Sequence, residues 1–255
     1  MPEPRLVAFD LDDTLAPSKS AIDPRIGDLL ISLAERVDVA IISGGQLAQF
    51  TTQVVDRLPE ASAETLSRLH LLPTCGTQYY RVSADGVVKI YAHSLTADEK
   101  SRALGAVEEE AKRLGLWESE TWGDILEDRG SQITFSALGQ SAPLEAKKAW
   151  DPTGEKKNAL RAAVAASIPD LEVRSGGSTS VDITQRGIDK AYGMRQLSEQ
   201  TGIPLDDMLF VGDRLDPDGN DYPVLAMGVE CQAVDGWEDT ADFLEGLVPT
   251  LAVRV

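Results

Sequence analysis

The chain has 255 residues, 42 % of them hydrophobic, with 42 acidic side chains against 24 basic ones and a formal net charge of −18. This suits one large domain or two modest ones with an ordinary buried core. The charge excludes broad contact with nucleic acid, and it requires any phosphate to be received at a locally cationic point. No apolar run reaches the length of a bilayer-spanning helix, so no membrane association is expected. The N-terminal "MPEPRLVAFD" lacks the basic region, long apolar stretch and cleavage site of a secretory signal. Two cysteines, Cys75 and Cys231, imply no disulfide framework, and the expectation is a reducing cytoplasm.

Residues 6–9, "LVAF", are apolar at consecutive positions, as in a strand covered on both faces. In 23–37, Asp23-Pro24 starts a helix whose Ile26, Leu29, Leu30, Leu33 and Val37 fall at helical spacing. Strand "DVAII" at 38–42 ends in Ser43-Gly44-Gly45. The next helix places Leu47, Phe50, Val54 and Leu58 on one face, and "LHLLPTCG" at 69–76 reads as a third strand. Such alternation predicts a parallel sheet with helices on its faces. The pattern then changes. Residues 77–94 read as a hairpin around Asp85-Gly86, and "TADE" at 96–99 is a capping box opening a helix to about residue 115. "SQITFSAL" at 131–138 alternates like a half-exposed strand, a helix near 154–167 ends before Pro169, and "TSVDIT" at 179–184 alternates again. An antiparallel sheet with two helices is expected here. The first pattern returns with a helix at 189–201 closed by Gly202, strand "MLFVGD" at 208–213, a short helix near 220–227 and strand "ECQAV" at 230–234. The expected organisation is a core at 1–93 and 187–255, with an α/β cap inserted at 94–186.

Ligands of an open parallel sheet bind beyond the carboxyl ends of its strands. Three predicted strands end there in polar groups: Asp10, Ser43 and Gly212-Asp213. Asp10 and Asp12 stand two apart, so a continued strand would point both the same way, and a divalent cation would resolve their repulsion. Mg²⁺ suits carboxylates and a substrate phosphate, whereas two histidines without paired spacing do not suggest zinc. One carboxylate can then attack phosphorus while the other handles the proton of the leaving or entering alcohol. Thr14 and Ser43 can hydrogen-bond phosphoryl oxygens, with backbone N–H groups such as that of Gly44 assisting, and Lys190 at a helix start completes the charge balance. Each feature alone has an ordinary meaning: D-x-D a solvated turn, Ser-Gly-Gly a tight turn, Lys190 a surface lysine. Their order and common place at strand ends carry the argument. Trp117, Trp122, Trp150 and Trp237 are expected mainly to pack, and His70 and His93 to serve structure.

"DLDDT", Ser43, Lys190 and the Gly212-Asp213…Asn220-Asp221 pair resemble the four motifs of the haloacid dehalogenase-like superfamily of phosphotransferases. The cap inserted after the third strand is similar to the IIB subgroup. Within it, "RGSQITFSALGQ" (129–140), "GGSTSVDITQRGIDKAYG" (176–193) and "FVGDRLDPDGNDYPVL" (210–225) most resemble the eukaryotic-type phosphomannomutases. The resemblance implies an α/β fold: a Rossmann-like parallel-sheet core with an inserted α+β cap. It implies Asp10 as nucleophile and Mg²⁺ ligand. Asp12 would be the general acid/base, lending its carbonyl to the metal, with Asp213 a ligand and Asp221 holding metal-bound water. Lys190 and Ser43 would hold the transferring phosphoryl group. Arg129, Ser180 and Asp182 match positions that bind the sugar phosphate, and the cap would carry homodimer contacts.

Three departures bear on the activity. Lys19 stands near where the mutases carry arginine, Gln140 replaces a second arginine, and a third aligns loosely with Lys147 or Lys148. A mutase must grip a bisphosphate at either end, and a neutral amide grips phosphate less well than a charge-assisted arginine. The expectation is therefore hydrolysis of a sugar phosphate, a hexose phosphate or related small metabolite. The alternative is a phosphomannomutase interconverting mannose 1-phosphate and mannose 6-phosphate. A more distant one is an inactive sugar-phosphate sensor.

Overall fold

The computed structural model describes residues 3–176 and 179–253. Two compact units make up the chain, Met1–Ala92 with Asp189–Val255, and His93–Ile188. The first begins with β1 (Leu6–Phe9), whose four side chains are all fully buried. Asp23 caps α1 (Pro24–Ala34) by accepting the Arg25 N–H at 2.9 Å, and Pro24 supplies the first helical φ. The helix stops short of the expected Val37, because β2 (Asp38–Ile42) must start there. Helix α2 (Leu47–Gln53) also ends early, and a 3₁₀ turn at Val55–Arg57 follows. Thr51, Thr52, Val54 and Val55 are β-branched and hold a helix weakly. After α3 (Ala63–Leu66), strand β3 (Leu69–Leu72) is shorter than "LHLLPTCG" suggested. Pro73 has no N–H for a ladder, and Thr74 and Cys75 take φ of 49° and 56°, so Thr74–Gly76 leaves the sheet as a 3₁₀ turn. The hairpin of β4 (Gln78–Ser83) and β5 (Gly86–Ala92) then adds antiparallel to β3.

The second unit opens with α4 (Ala97–Arg113) on a full capping box: Glu99 N–H donates to Thr96 Oγ1 at 3.2 Å, and Thr96 N–H to Glu99 Oε2 at 2.7 Å. There follow β6 (Leu126–Asp128), β7 (Gln132–Ser136), α5 (Leu144–Trp150), α6 (Glu155–Ser167), β8 (Leu171–Ser175) and β9 (Ser180–Gln185). The strands pair antiparallel in the order β6-β7-β9-β8. Ile133, Phe135, Val181 and Ile183 meet Ala103, Val107, Leu160 and Val164 in its core. Strand β7 was expected to be half exposed, yet all five residues are buried. Its alternation is real, and its polar residues Thr134 and Ser136 bond to Asp182 and Ser180 on β9. Trp117 packs here, 6.2 Å from the Phe135 ring, while Trp122 is exposed.

The chain returns through α7 (Lys190–Thr201), capped by Asp189 and ended by Gly202 at φ 69°. Strand β10 (Met208–Gly212), α8 (Tyr222–Ala226), β11 (Glu230–Ala233) and α9 (Trp237–Leu247) complete it. The first unit's sheet has the order β11-β10-β1-β2-β3-β4-β5. Residues of α1, α2 and α9 pack with Val7 and Phe9 on one face, and residues of α7 and α8 with Leu6 and Ala8 on the other. Both neighbours of β1 run parallel to it, with Leu6 opposite Asp38 on β2 and Met208 on β10. The strand order reverses at β1, so the ends of β1, β2 and β10 form the sheet's switch point. His70 is buried between Tyr79 (2.7 Å) and Asp38 (3.0 Å), a structural role. No helix of the described residues is long and apolar enough to cross a membrane.

Candidate active site

Asp10 follows β1 directly and is 4 % exposed. Its Oδ1 accepts the Leu11 N–H at 2.7 Å and lies 2.7 Å from Lys190 Nζ. Lys190 is the first residue of α7, itself 1 % exposed, and also pairs with Asp221. The second oxygen of Asp221 accepts the Arg214 N–H at 3.1 Å. A Cβ at residue 212 would stand 2.4 Å from that oxygen, which is why glycine ends β10. Asp213 accepts the Thr14 hydroxyl at 3.3 Å, and the Thr14 carbonyl accepts from Thr240 Oγ1 at 2.7 Å. One carboxylate oxygen each from Asp10, Asp213 and Asp221 lie within 4.8 Å of one another.

Three carboxylates therefore face one ammonium. Burial pushes the Asp10 carboxyl up to about 8, with Lys190 opposing and Asp221 and Asp213 adding to the rise. Burial also raises Asp213, and Asp221 reinforces it. For Lys190 burial disfavours the ammonium, but Asp10 and Asp221 together outweigh it and hold the group above the ordinary lysine range. An excess of hard, converging oxygen donors fits a divalent cation.

Asp12 stands apart from that trio. Residues 11–16 turn instead of continuing the strand: Leu15 N–H donates to Leu11 O at 3.0 Å, and Asp13 sits at φ 63°. The strand geometry on which a common direction of Asp10 and Asp12 was expected does not continue past Asp10. The Asp12 carboxylate instead accepts the Lys19 N–H at 2.7 Å and the Gln49 side-chain amide at 2.9 Å. Gln49 is not among the site residues expected from the sequence, where only the apolar face of its helix is marked. Ser43 ends β2 with its Oγ accepting the Gly45 N–H at 3.1 Å. Its loop hangs on the turn after β3, where Cys75 N–H donates to Ser43 O at 2.9 Å and Thr74 N–H to Gly45 O at 3.0 Å. A Cβ at Gly44 would meet nothing within 4 Å, so that backbone stands in open space.

In the second unit, Asp182 lies opposite Thr134 and accepts its hydroxyl at 2.7 Å; Ser180 lies opposite Ser136 at 3.1 Å. Gln140 donates to Ser136 Oγ at 2.9 Å, and Lys147 Nζ donates to the Gln140 carbonyl at 3.2 Å. Lys147, not Lys148, is thus the lysine beside Gln140. Arg129 pairs with Glu127 at 2.6 Å. Burial raises the Asp182 carboxyl, and the Arg129 guanidinium works against that rise.

The mixed sheet, parallel from β11 to β3 with carboxylates and a lysine at its switch point, together with the family match below, places the chain among the phosphotransferases of the haloacid dehalogenase-like superfamily. The crystal structure of a haloacid dehalogenase-like hydrolase from Bacteroides thetaiotaomicron shares the fold, with a TM-score of 0.62 at 14 % identity over 96 % of this chain and all of that one. The family model for eukaryotic phosphomannomutase matches residues 26–249, and the chain belongs to that family. It is 26 % identical to a probable phosphomannomutase of Caenorhabditis elegans over 262 residues, 96 % of either chain. With phosphomannomutase 1 of Homo sapiens it shares 24 % over 231 residues, 87 % of this chain and 83 % of the relative.

Proposed function

We propose that the protein is a Mg²⁺-dependent hexose-phosphate mutase that carries a phosphoryl group between the 1- and 6-positions of mannose or glucose through Asp10. An Asp10 oxygen attacks phosphorus of a hexose bisphosphate. The bond to the sugar oxygen breaks, and that oxygen takes its electron pair and a proton from Asp12. On return, the Asp12 carboxylate takes the proton from the free hydroxyl of a second sugar monophosphate, the isomer phosphorylated at the opposite position. That hydroxyl oxygen attacks the phosphorus held on Asp10, the bond to Asp10 breaks and restores its carboxylate, and the bisphosphate so formed serves the next cycle. Lys190, Ser43, Thr14 and the Gly44 N–H hold the moving phosphoryl oxygens. Held by Asp10, Asp213, Asp221 and the Asp12 carbonyl, Mg²⁺ would supply charge neutralisation to the transfer. Lys19, Arg129, Gln140, Lys147, Ser180 and Asp182 are assigned to sugar-phosphate binding. A homodimer through the second unit and a cytoplasmic location belong to the same proposal.

The observation that carries the chemistry is the set of Asp10, Asp213 and Asp221 around buried Lys190. Membership of the phosphomannomutase family supports the mutase reading over hydrolysis. Hydrolysis remains the second reading, favoured by Gln140, whose neutral amide is spent on Ser136. One assay separates them: Mg²⁺, mannose 1-phosphate and a trace of hexose 1,6-bisphosphate, with free phosphate and mannose 6-phosphate followed together. Fast isomer with little phosphate is expected, and none of either in chelator. Fast phosphate with little isomer would reverse the order of the readings, and tight binding without turnover would leave a sensor.

A further inference from the structure

Both oxygens of the Asp12 carboxylate are held, one by the Lys19 N–H and one by Gln49. A carboxylate only accepts, so it is the NH₂ end of the Gln49 amide that faces it, at 2.9 Å. Gln49 reaches that point by folding back over Gly45. A Cβ at residue 45 would come within 2.3 Å of Gln49 Oε1 and 2.8 Å of its Cδ. Gly45 has no left-handed φ to explain the glycine. A Cβ there would displace the Gln49 carboxamide, the mobile end of that side chain, from its place beside Asp12.

We infer that Gln49 is a positioning residue that fixes the Asp12 carboxyl for proton transfer, with Gly45 as the gap that admits it; this rests on the acid/base role proposed for Asp12. Proton transfer in the transition state is sensitive to small misplacement of the donor. A misplaced acid harms departure of an alkoxide, which must be protonated. It scarcely harms departure of a nitrophenolate, which leaves without a proton.

The test compares kcat/KM with Mg²⁺ for a hexose phosphate and for 4-nitrophenyl phosphate, because kcat/KM reports the step in which the leaving group departs. Gln49→Ala should lose about ten-fold on the sugar ester and less than about three-fold on the aryl ester. Gln49→Glu, which sets a second carboxylate against Asp12, should lose more on the sugar ester than Gln49→Ala. Gly45→Ala should show the same selectivity yet add little to Gln49→Ala, since both break one contact. Melting temperatures confirm that each variant is folded, and Gln49→Ala alone decides if Gly45→Ala does not fold. Equal losses on the two esters, or none, would overturn the role of Gln49. Asp12→Asn is the reference. If it is selective and Gln49→Ala is not, Gln49 alone is misassigned; if Asp12→Asn loses equally on both esters, the acid/base reading of Asp12 falls and takes this inference with it.

Discussion

Asp10→Asn is expected to abolish phosphoryl transfer, with a loss on the order of 10⁴-fold or more, as when other covalent nucleophiles are removed. The amide keeps the shape of the side chain but cannot attack phosphorus. The variant should nevertheless fold, because Lys190 keeps Asp221 as a partner. The folded Asp10 carboxyl, pushed up to about 8 by burial first, holds its proton more tightly than the unfolded one. Metal-free parent protein should therefore lose stability as pH rises from the ordinary carboxylate range through about 8, and the asparagine variant should escape that loss. Melting temperatures in chelator at two pH values on either side of that range check this, with the comparison favouring Asp10→Asn on the alkaline side. Residual turnover near the parent level would remove Asp10 from the mechanism.

Lys190→Met is expected to cost both activity and stability. The methionine fills similar volume but removes the ammonium 2.7 Å from Asp10, leaving the carboxylates of Asp10, Asp213 and Asp221 crowded in a buried site. Breaking a buried ion pair from one side costs about 3–5 kcal/mol, or roughly 6–20 °C in melting temperature for a chain of this size. Turnover should fall by about 10²–10³-fold, since the transferring phosphoryl group loses a preorganised cation. Divalent cations should restore part of the stability, and more of it than they add to the parent, because the uncompensated carboxylates bind them more tightly. A melting temperature within about 2 °C of the parent in chelator would mean that Lys190 does not carry this charge balance.

Much of the first unit is legible in the sequence because its signals are local. Consecutive apolar residues at 6–9 and 38–42 mark strands buried on both faces, and β1 and β2 are found there. Asp189 and Gly202 bracket α7, so Lys190 falls at its start. Asp10 and Asp213 lie together because β10 flanks β1, and Ser43 follows β2 on the other side of β1, as expected from reading each as a strand end of one sheet. What escapes depends on backbone beyond the strand ends. The chain turns beyond Asp10, so period-two reasoning has no purchase on Asp12, whose partners are the Lys19 N–H and the Gln49 amide. Gln49 escapes because its meaning comes from a missing Cβ on Gly45, not from its own helix. In the second unit β6 and β8 are short, and α5 has no side-chain cap and no buried residue, so no periodicity announces it. The polar face of β7 reads as solvent-facing, since sequence shows the alternation of Gln132, Thr134 and Ser136 but not the bonds that Thr134 and Ser136 make with Asp182, Ser180 and Gln140.

The central claim is that phosphoryl groups pass through Asp10. The most direct measurement is to mix the protein with Mg²⁺ and hexose 1,6-bisphosphate, quench in acid during turnover, and map the covalently held phosphoryl group by mass spectrometry. The account predicts phosphoryl on Asp10 and none in the Asp10→Asn protein. Phosphoryl on a different residue, or undiminished turnover with Asp10 unmodified, would contradict it.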